Sequence, residues 1–345
     1  MKTVHLGHHF FGAGNLGDDF MLAGFLAAVP KDRRVAFTCC VPHERRPLAR
    51  RFPEVEWLPY DEASRREAVG GCDAWLGLGG SPFQSAISSW FLDHLAEEVR
   101  FCREAAKPMF LLGVGGQDAD AYERPAARAL LERAERVWTR DPGTAERAAR
   151  AGGGPRVKPG ADLAHILLAA APPSPACSGR LTATLNFDYG AWPALPAAAA
   201  RLRELGASEH LWLAQESRPL PGAERALFEA LPADERRHWK LRIADTGSTS
   251  AVQTLAEWPA GEWTFSGRYH AALVGAWAGS KGVLLAINEK LAAAAAELGW
   301  PSLRPDEPAE RILERFASGS PVPRSVLMGR AQAARASASE FFSLI

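Results

Sequence analysis

Arg268 and His270 stand two residues apart in the segment FSGRYHAALVGAWAG, where a strand-like run gives way to an apolar helix. A fork-shaped guanidinium and an imidazole at a helix start form a site for phosphate or carboxylate. The first N–H groups of the helix and its dipole reinforce the cation there. An imidazole also titrates near neutral pH, which suits His270 to proton transfer. The structural alternative for His270 is a core histidine bonded to a backbone carbonyl.

A second segment, GAGNLGDD (Gly12 to Asp19), joins the first strand to the first helix. Its glycines allow a tight turn and close approach to a ligand. The spacing fits a bare dinucleotide pattern, but the second strand ends in Thr38-Cys39-Cys40, with no acidic residue for a ribose. The plain reading is a turn whose helix is capped by Asp18 or Asp19. Two further strands end in glycine, in LGLGGS (Leu76 to Ser81) and LLGVGGQ (Leu111 to Gln117). Neither continues to Gly-Lys-Ser/Thr, which argues against a phosphate-binding P-loop. Arg140-Asp141 precedes Pro142, so Asp141 is placed to cap a helix and Arg140 is either an anion clamp or a surface arginine. Lys290 follows a buried strand and opens a helix, where the dipole opposes its charge. It is either a ligand contact or a solvated residue. His8 and His9 alternate across a strand end, and His165, His210 and His238 stand alone without H-E-x-x-H, so no metal site is expected.

Positioning these residues requires an alternation of short apolar strands and amphipathic helices. Strands are predicted at Thr3–Phe10, Arg34–Cys40, Val55–Leu58, Ala74–Leu78, Met109–Val114 and Val137–Thr139. After a Pro-rich linker at Ala169–Gly179, they continue at Leu181–Asn186, His210–Ala214, Trp263–Ser266 and Gly282–Ile287. Such alternation implies parallel sheets covered on both faces, with ligands beyond the carboxyl ends of the strands. The expected architecture is α/β, two Rossmann-like domains facing each other across a cleft: residues 1–172, residues 180–322, and a C-terminal helix over 323–345.

The chain has 345 residues, enough for two domains, with 40 Lys plus Arg against 40 Asp plus Glu. Zero net charge disfavours general nucleic-acid binding. Five irregularly spaced cysteines argue against a disulfide framework. No uncharged apolar run reaches the ~18 residues of a membrane span, and the N-terminus lacks the apolar core of a signal peptide. A cytoplasmic protein without an integral membrane segment is the expectation.

In order along the chain, GNLGDD, LGGS, GVGGQ, Arg140-Asp141, ADLAHIL (Ala161 to Leu167), Ser266-Gly267-Arg268-Tyr269-His270 and INEKLAAAAAELG (Ile287 to Gly299) resemble the motifs of the polysaccharide pyruvyl transferase family. The resemblance implies a GT-B-like fold and transfer of a pyruvyl group from phosphoenolpyruvate to a sugar or lipid-linked oligosaccharide, forming a ketal, with no cofactor. It implies an anchor for phosphoenolpyruvate at Arg268 and His270, with Tyr269 beside them and Arg140 as a second anion contact. Lys290 would add positive charge, while Gly14, Asn15 and Gln117 would line the substrate.

For such a reaction His270 is the expected general acid and Asp18 the base for the sugar hydroxyl. The rival enzyme reading is a GT-B glycosyltransferase with a nucleotide-sugar donor, since the same helix start suits a diphosphate. A non-catalytic glycan-binding relative is the third. Trp192, Trp212 and Trp277 are available to orient a sugar ring, against the alternative that most tryptophans are core.

Overall fold

The computed structural model describes residues 1–7, 10–85, 89–186, 192–215, 222–244 and 250–345. His8 and His9 lie outside the described residues. The chain divides into two compact units. The first comprises Met1–Gly12, Asp18–Ala169 and Met328–Ile345; the second comprises Ala13–Gly17 and Ala170–Leu327.

Among the described residues, the first unit holds a seven-stranded parallel sheet: β1 (Lys2–Leu6), β2 (Val35–Val41), β3 (Val55–Pro59), β4 (Ala74–Leu78), β5 (Met109–Val114), β6 (Arg136–Thr139) and β7 (Val157–Pro159). Their order is β3-β2-β1-β4-β5-β6-β7. The central strands AWLGL and MFLLGV are buried at every position, as strands covered on both faces must be. The second unit holds a six-stranded parallel sheet: β8 (Cys177–Thr184), β9 (Glu209–Gln215), β10 (Lys240–Ala244), β11 (Gly261–Ser266), β12 (Lys281–Leu285) and β13 (Ser302–Leu303). Their order is β10-β9-β8-β11-β12-β13. In each sheet the chain builds outward in one direction, returns to the middle and builds the other way. The reversal falls between β1 and β4 in the first sheet and between β8 and β11 in the second. A doubly wound sheet opens its ligand crevice at such a point.

The sequence reading anticipated the central strands and missed β7, β10 and β13. All three are edge strands. They are short, and β10 (KLRIA) is mostly exposed, so the hydrophobic signal that marks a covered strand is absent. The expected first strand ran to Phe10 but ends at Leu6, and the expected linker overlaps β8, which already begins at Cys177. Asp141 caps the helix Pro142–Ala148 as expected, accepting from Thr144 N and Thr144 Oγ1 at 2.7 Å each.

The C-terminal helix runs Arg324–Leu344, and from Met328 onward it belongs to the first unit. Phe342 stacks on Phe25 with ring centroids 5.4 Å apart, and Phe341 meets Phe110 edge-on at 5.4 Å. Glu340 accepts from Trp138 Nε1 at 3.0 Å and from Lys158 Nζ at 2.7 Å. The end of the chain thus completes the core of its beginning.

Within the same unit lies a buried polar cluster. Glu98 accepts from Trp75 Nε1 at 2.6 Å and lies 3.7 Å from Arg65, 3.8 Å from His5 and 3.9 Å from His94. Loss of solvation pushes the Glu98 carboxyl up to about 7, against the pull of Trp75 and Arg65. Burial, aided by the Arg65 charge, takes His5 down to about 4.

Candidate functional site

The site is built at the carboxyl edge of the second sheet, at its point of reversal. β11 ends in Ser266, and the Ser266 hydroxyl accepts from Arg268 N at 3.0 Å and donates to Arg268 O at 2.7 Å. This clamp holds Arg268 in an extended conformation as the N-cap of the helix Tyr269–Ala278, whose residues through Trp277 are all buried. The Arg268 side chain makes no capping bond, so it is directed elsewhere. Its Nε donates to Glu224 Oε1 at 2.5 Å, and its Nη2 also pairs with that oxygen. Nη2 reaches Asn186 Oδ1 at 3.3 Å, just beyond β8, and Nη1 reaches Asn15 Oδ1 at 3.5 Å.

Glu224 is 1% exposed, and its other oxygen accepts from the backbone N of Gln215, the last residue of β9, at 2.8 Å. The Gln215 side chain accepts from Leu16 N at 3.2 Å. The segment Ala13–Gly17 is therefore bound into the second unit from both ends of this network. Gly14 has a φ of 92°, and only glycine adopts that backbone freely. Gly17 is required for space: a Cβ there would lie 1.8 Å from His270 Nδ1. Tyr269 stands edge-on to His270 at 5.0 Å, and the Lys290 ammonium lies 5.8 Å from the Tyr269 ring centre. Asn288 caps the helix carrying Lys290, accepting from Leu291 N at 3.1 Å.

The second unit thus brings together Gly14, Asn15, Arg268, Tyr269, His270 and Lys290. The other nominated residues belong to the first unit. Asp18 is buried on the first turn of the helix Leu16–Leu26. Gln117 follows β5, and its backbone N donates to Phe83 O at 2.8 Å. Arg140, 2% exposed, lies across Gly115 so closely that a Cβ there would be 2.2 Å from Nε, and it donates to Ser81 Oγ at 3.0 Å. Glu224, Gln215 and Asn186 were not foreseen. Glu224 lies in PGAERALFEA, where a glutamate in a first helical turn is ordinary and only its burial marks it. Trp192, Trp212 and Trp277, which the sequence makes available to orient a sugar, are all buried, in keeping with the alternative that most tryptophans are core; among the described residues the exposed tryptophan is Trp90, at 41%. Among the described residues no cluster of metal-ligating side chains occurs, and no helix is long and apolar enough to cross a membrane.

No family model and no curated protein matches this chain. Solved structures do. The UDP-GlcNAc 2-epimerase of Methanocaldococcus jannaschii superposes with a TM-score of 0.62 at 8% identity, covering 99% of each chain. Anabaena HepE in complex with UDP gives 0.60 at 10% identity, covering 100% of both. Acinetobacter baumannii MurG gives 0.52 at 14% identity, covering 100% of this chain and 99% of its own.

These neighbours are not pyruvyl transferases, and they overturn the expected transfer from phosphoenolpyruvate. The local chemistry agrees. The arginine expected to anchor that small, highly charged acid has its charge balanced by Glu224 inside the protein. What the likeness establishes is architecture: this chain is α/β, with two Rossmann-like domains of the GT-B type.

Proposed function

We propose that this protein is an enzyme acting on a nucleoside-diphosphate sugar, and that it transfers the sugar to an acceptor hydroxyl. The observation that carries this reading is the mixed polarity of the cluster at the reversal of the second sheet. Lys290 and the start of the helix Tyr269–Ala278 offer positive potential for a diphosphate, while Arg268, its charge balanced by Glu224, bonds to Asn15 and Asn186. Asn15 and Asn186 supply the amide groups that orient sugar hydroxyls, and buried Glu224 and Gln215 hold the elements around them in place. The complexes with UDP and UDP-GlcNAc among the neighbours support the same ligand class.

In the reaction, the bond from the anomeric carbon to the diphosphate oxygen breaks, and both electrons leave with the nucleoside diphosphate. The acceptor oxygen bonds to that carbon and gives up its proton. We assign the proton to His270, whose ring is held in one orientation by Gly17 and Tyr269. Lys290 and the backbone N–H groups at the start of the helix Tyr269–Ala278 stabilise the negative charge that grows on the diphosphate.

The test is thermal unfolding of the full chain with UDP, UDP-glucose, UDP-GlcNAc and GDP-mannose, followed by assay of nucleotide release with saccharide acceptors. A ligand at 100 times its Kd stabilises by about 2.7 kcal/mol, a clear rise in Tm. No stabilisation by any of these ligands would reject the proposal. A second reading, epimerisation, is favoured by the 2-epimerase neighbours and is visible in the same tubes as inversion at C2 of UDP-GlcNAc without acceptor.

A further inference from the structure

Trp90 opens the helix Trp90–Glu104 that follows β4, and among the described residues no other Phe, Tyr or Trp is as exposed. Phe10, in the segment after β1, packs against it with ring centroids 4.3 Å apart and planes tilted by 48°. β1 and β4 are parallel neighbours, Leu6 opposite Leu76, and the strand order of the first sheet reverses between them. The aromatic pair therefore lies past the carboxyl ends of the two strands that flank the crevice of the first unit. One turn along the same helix, Asp93 accepts from Ser89 Oγ at 2.6 Å and from Arg124 Nη2 at 3.3 Å, with half of its side chain still exposed. An apolar ring face with a fixed carboxylate beside it is unusual on a chain that buries most of its large aromatics.

Resting on the glycosyl-transfer reading above, we infer that Trp90 and Phe10 form a stacking platform for a pyranose ring of a saccharide acceptor, bound to the first unit. A pyranose has one face of C–H groups and a rim of hydroxyls. The face matches the electron-rich indole surface, and the rim matches Asp93, Ser89 and Arg124. Two rings are far smaller than the ~800 Å² per partner of a stable protein interface, which disfavours a protein occupant. Trp90 is a binding residue here and takes no part in proton transfer.

The experiment is saturation-transfer NMR on the full chain with the methyl pyranosides of glucose, galactose, mannose and N-acetylglucosamine, with UDP titrated separately. The wild type should transfer magnetisation to the ring C–H groups of at least one glycoside. Trp90→Phe should keep part of that signal. Trp90→Ala should weaken binding about five- to tenfold, with unchanged circular dichroism and unchanged affinity for UDP. Absence of transfer to every glycoside, or transfer equal in wild type and Trp90→Ala, would overturn the platform. Failure of UDP to bind, with Trp90-dependent glycoside contact retained, would sink the donor assignment while upholding the platform.

Discussion

The imidazole of His270 is packed on the bare Cα of Gly17: there is no room for even a methyl group between them. Two segments far apart in the chain are fitted to each other at the edge of the second sheet, and the glycine of the GNLGDD turn is the counter-surface for the histidine of the RYH helix start. The need for glycine at position 17 is steric, since its backbone lies outside the left-handed region.

Gly17→Ala therefore separates function from stability. Gly17 is the second residue of the helix Leu16–Leu26, and alanine there favours the helix by roughly 1 kcal/mol. The added Cβ must displace the imidazole. A displacement of about 1 Å at a reacting group costs on the order of 10²-fold in rate. Turnover of the nucleotide sugar should fall by that order with little loss of Tm; a variant with normal turnover would remove His270 from the reaction.

The pairing of Glu224 with Arg268 is buried, so removing the carboxylate strands a charge. Glu224→Ala should cost about 3–5 kcal/mol in urea unfolding. Glu224→Gln, which keeps an acceptor for Arg268 and for Gln215 N, should cost less. A loss below about 1 kcal/mol in the alanine variant would show the pair to be solvated and weak.

Glu98 and His5 give opposing pH dependences. Glu98 holds its proton more tightly in the folded chain. Its stabilisation is whole below its ordinary value of 4.5 and is lost as pH rises through about 7. His5 holds its proton less tightly. Its stabilisation is whole above 6.5 and is lost as pH falls through about 4. Between pH 4.5 and 6.5 the two slopes oppose each other and cancel. Glu98→Gln should expose the His5 slope, with stability rising with pH by up to ~1.4 kcal/mol per unit, and His5→Gln should expose the reverse slope. Urea midpoints at half-unit intervals read both; flat profiles in both variants would refute the assignment.

Phe341 anchors the C-terminal helix to the first sheet. Phe341→Ala should cost about 3–5 kcal/mol, because it opens a cavity among Phe25, Phe110 and Trp138. Leu344→Ala, at a half-exposed position, should change stability by less than about 0.5 kcal/mol. Equal effects from the two substitutions would mean that the helix is not part of that core.

The sequence by itself determined the alternation of strands and helices, the covered central strands and the helix start at Tyr269. These depend on periodicity and capping within a few residues. It also nominated Asn15, Arg268, Tyr269, His270 and Lys290, which the second unit does assemble. Only the tertiary structure decided that Glu224 neutralises Arg268 across 44 positions, that Ala13–Gly17 belongs with the second unit, and that Trp90 rather than Trp192, Trp212 or Trp277 meets solvent. Whether a carboxylate balances a cation, or an aromatic ring is covered, depends on which strands become neighbours in a sheet. That adjacency is set by the packing of the whole chain, and no local pattern of residues records it.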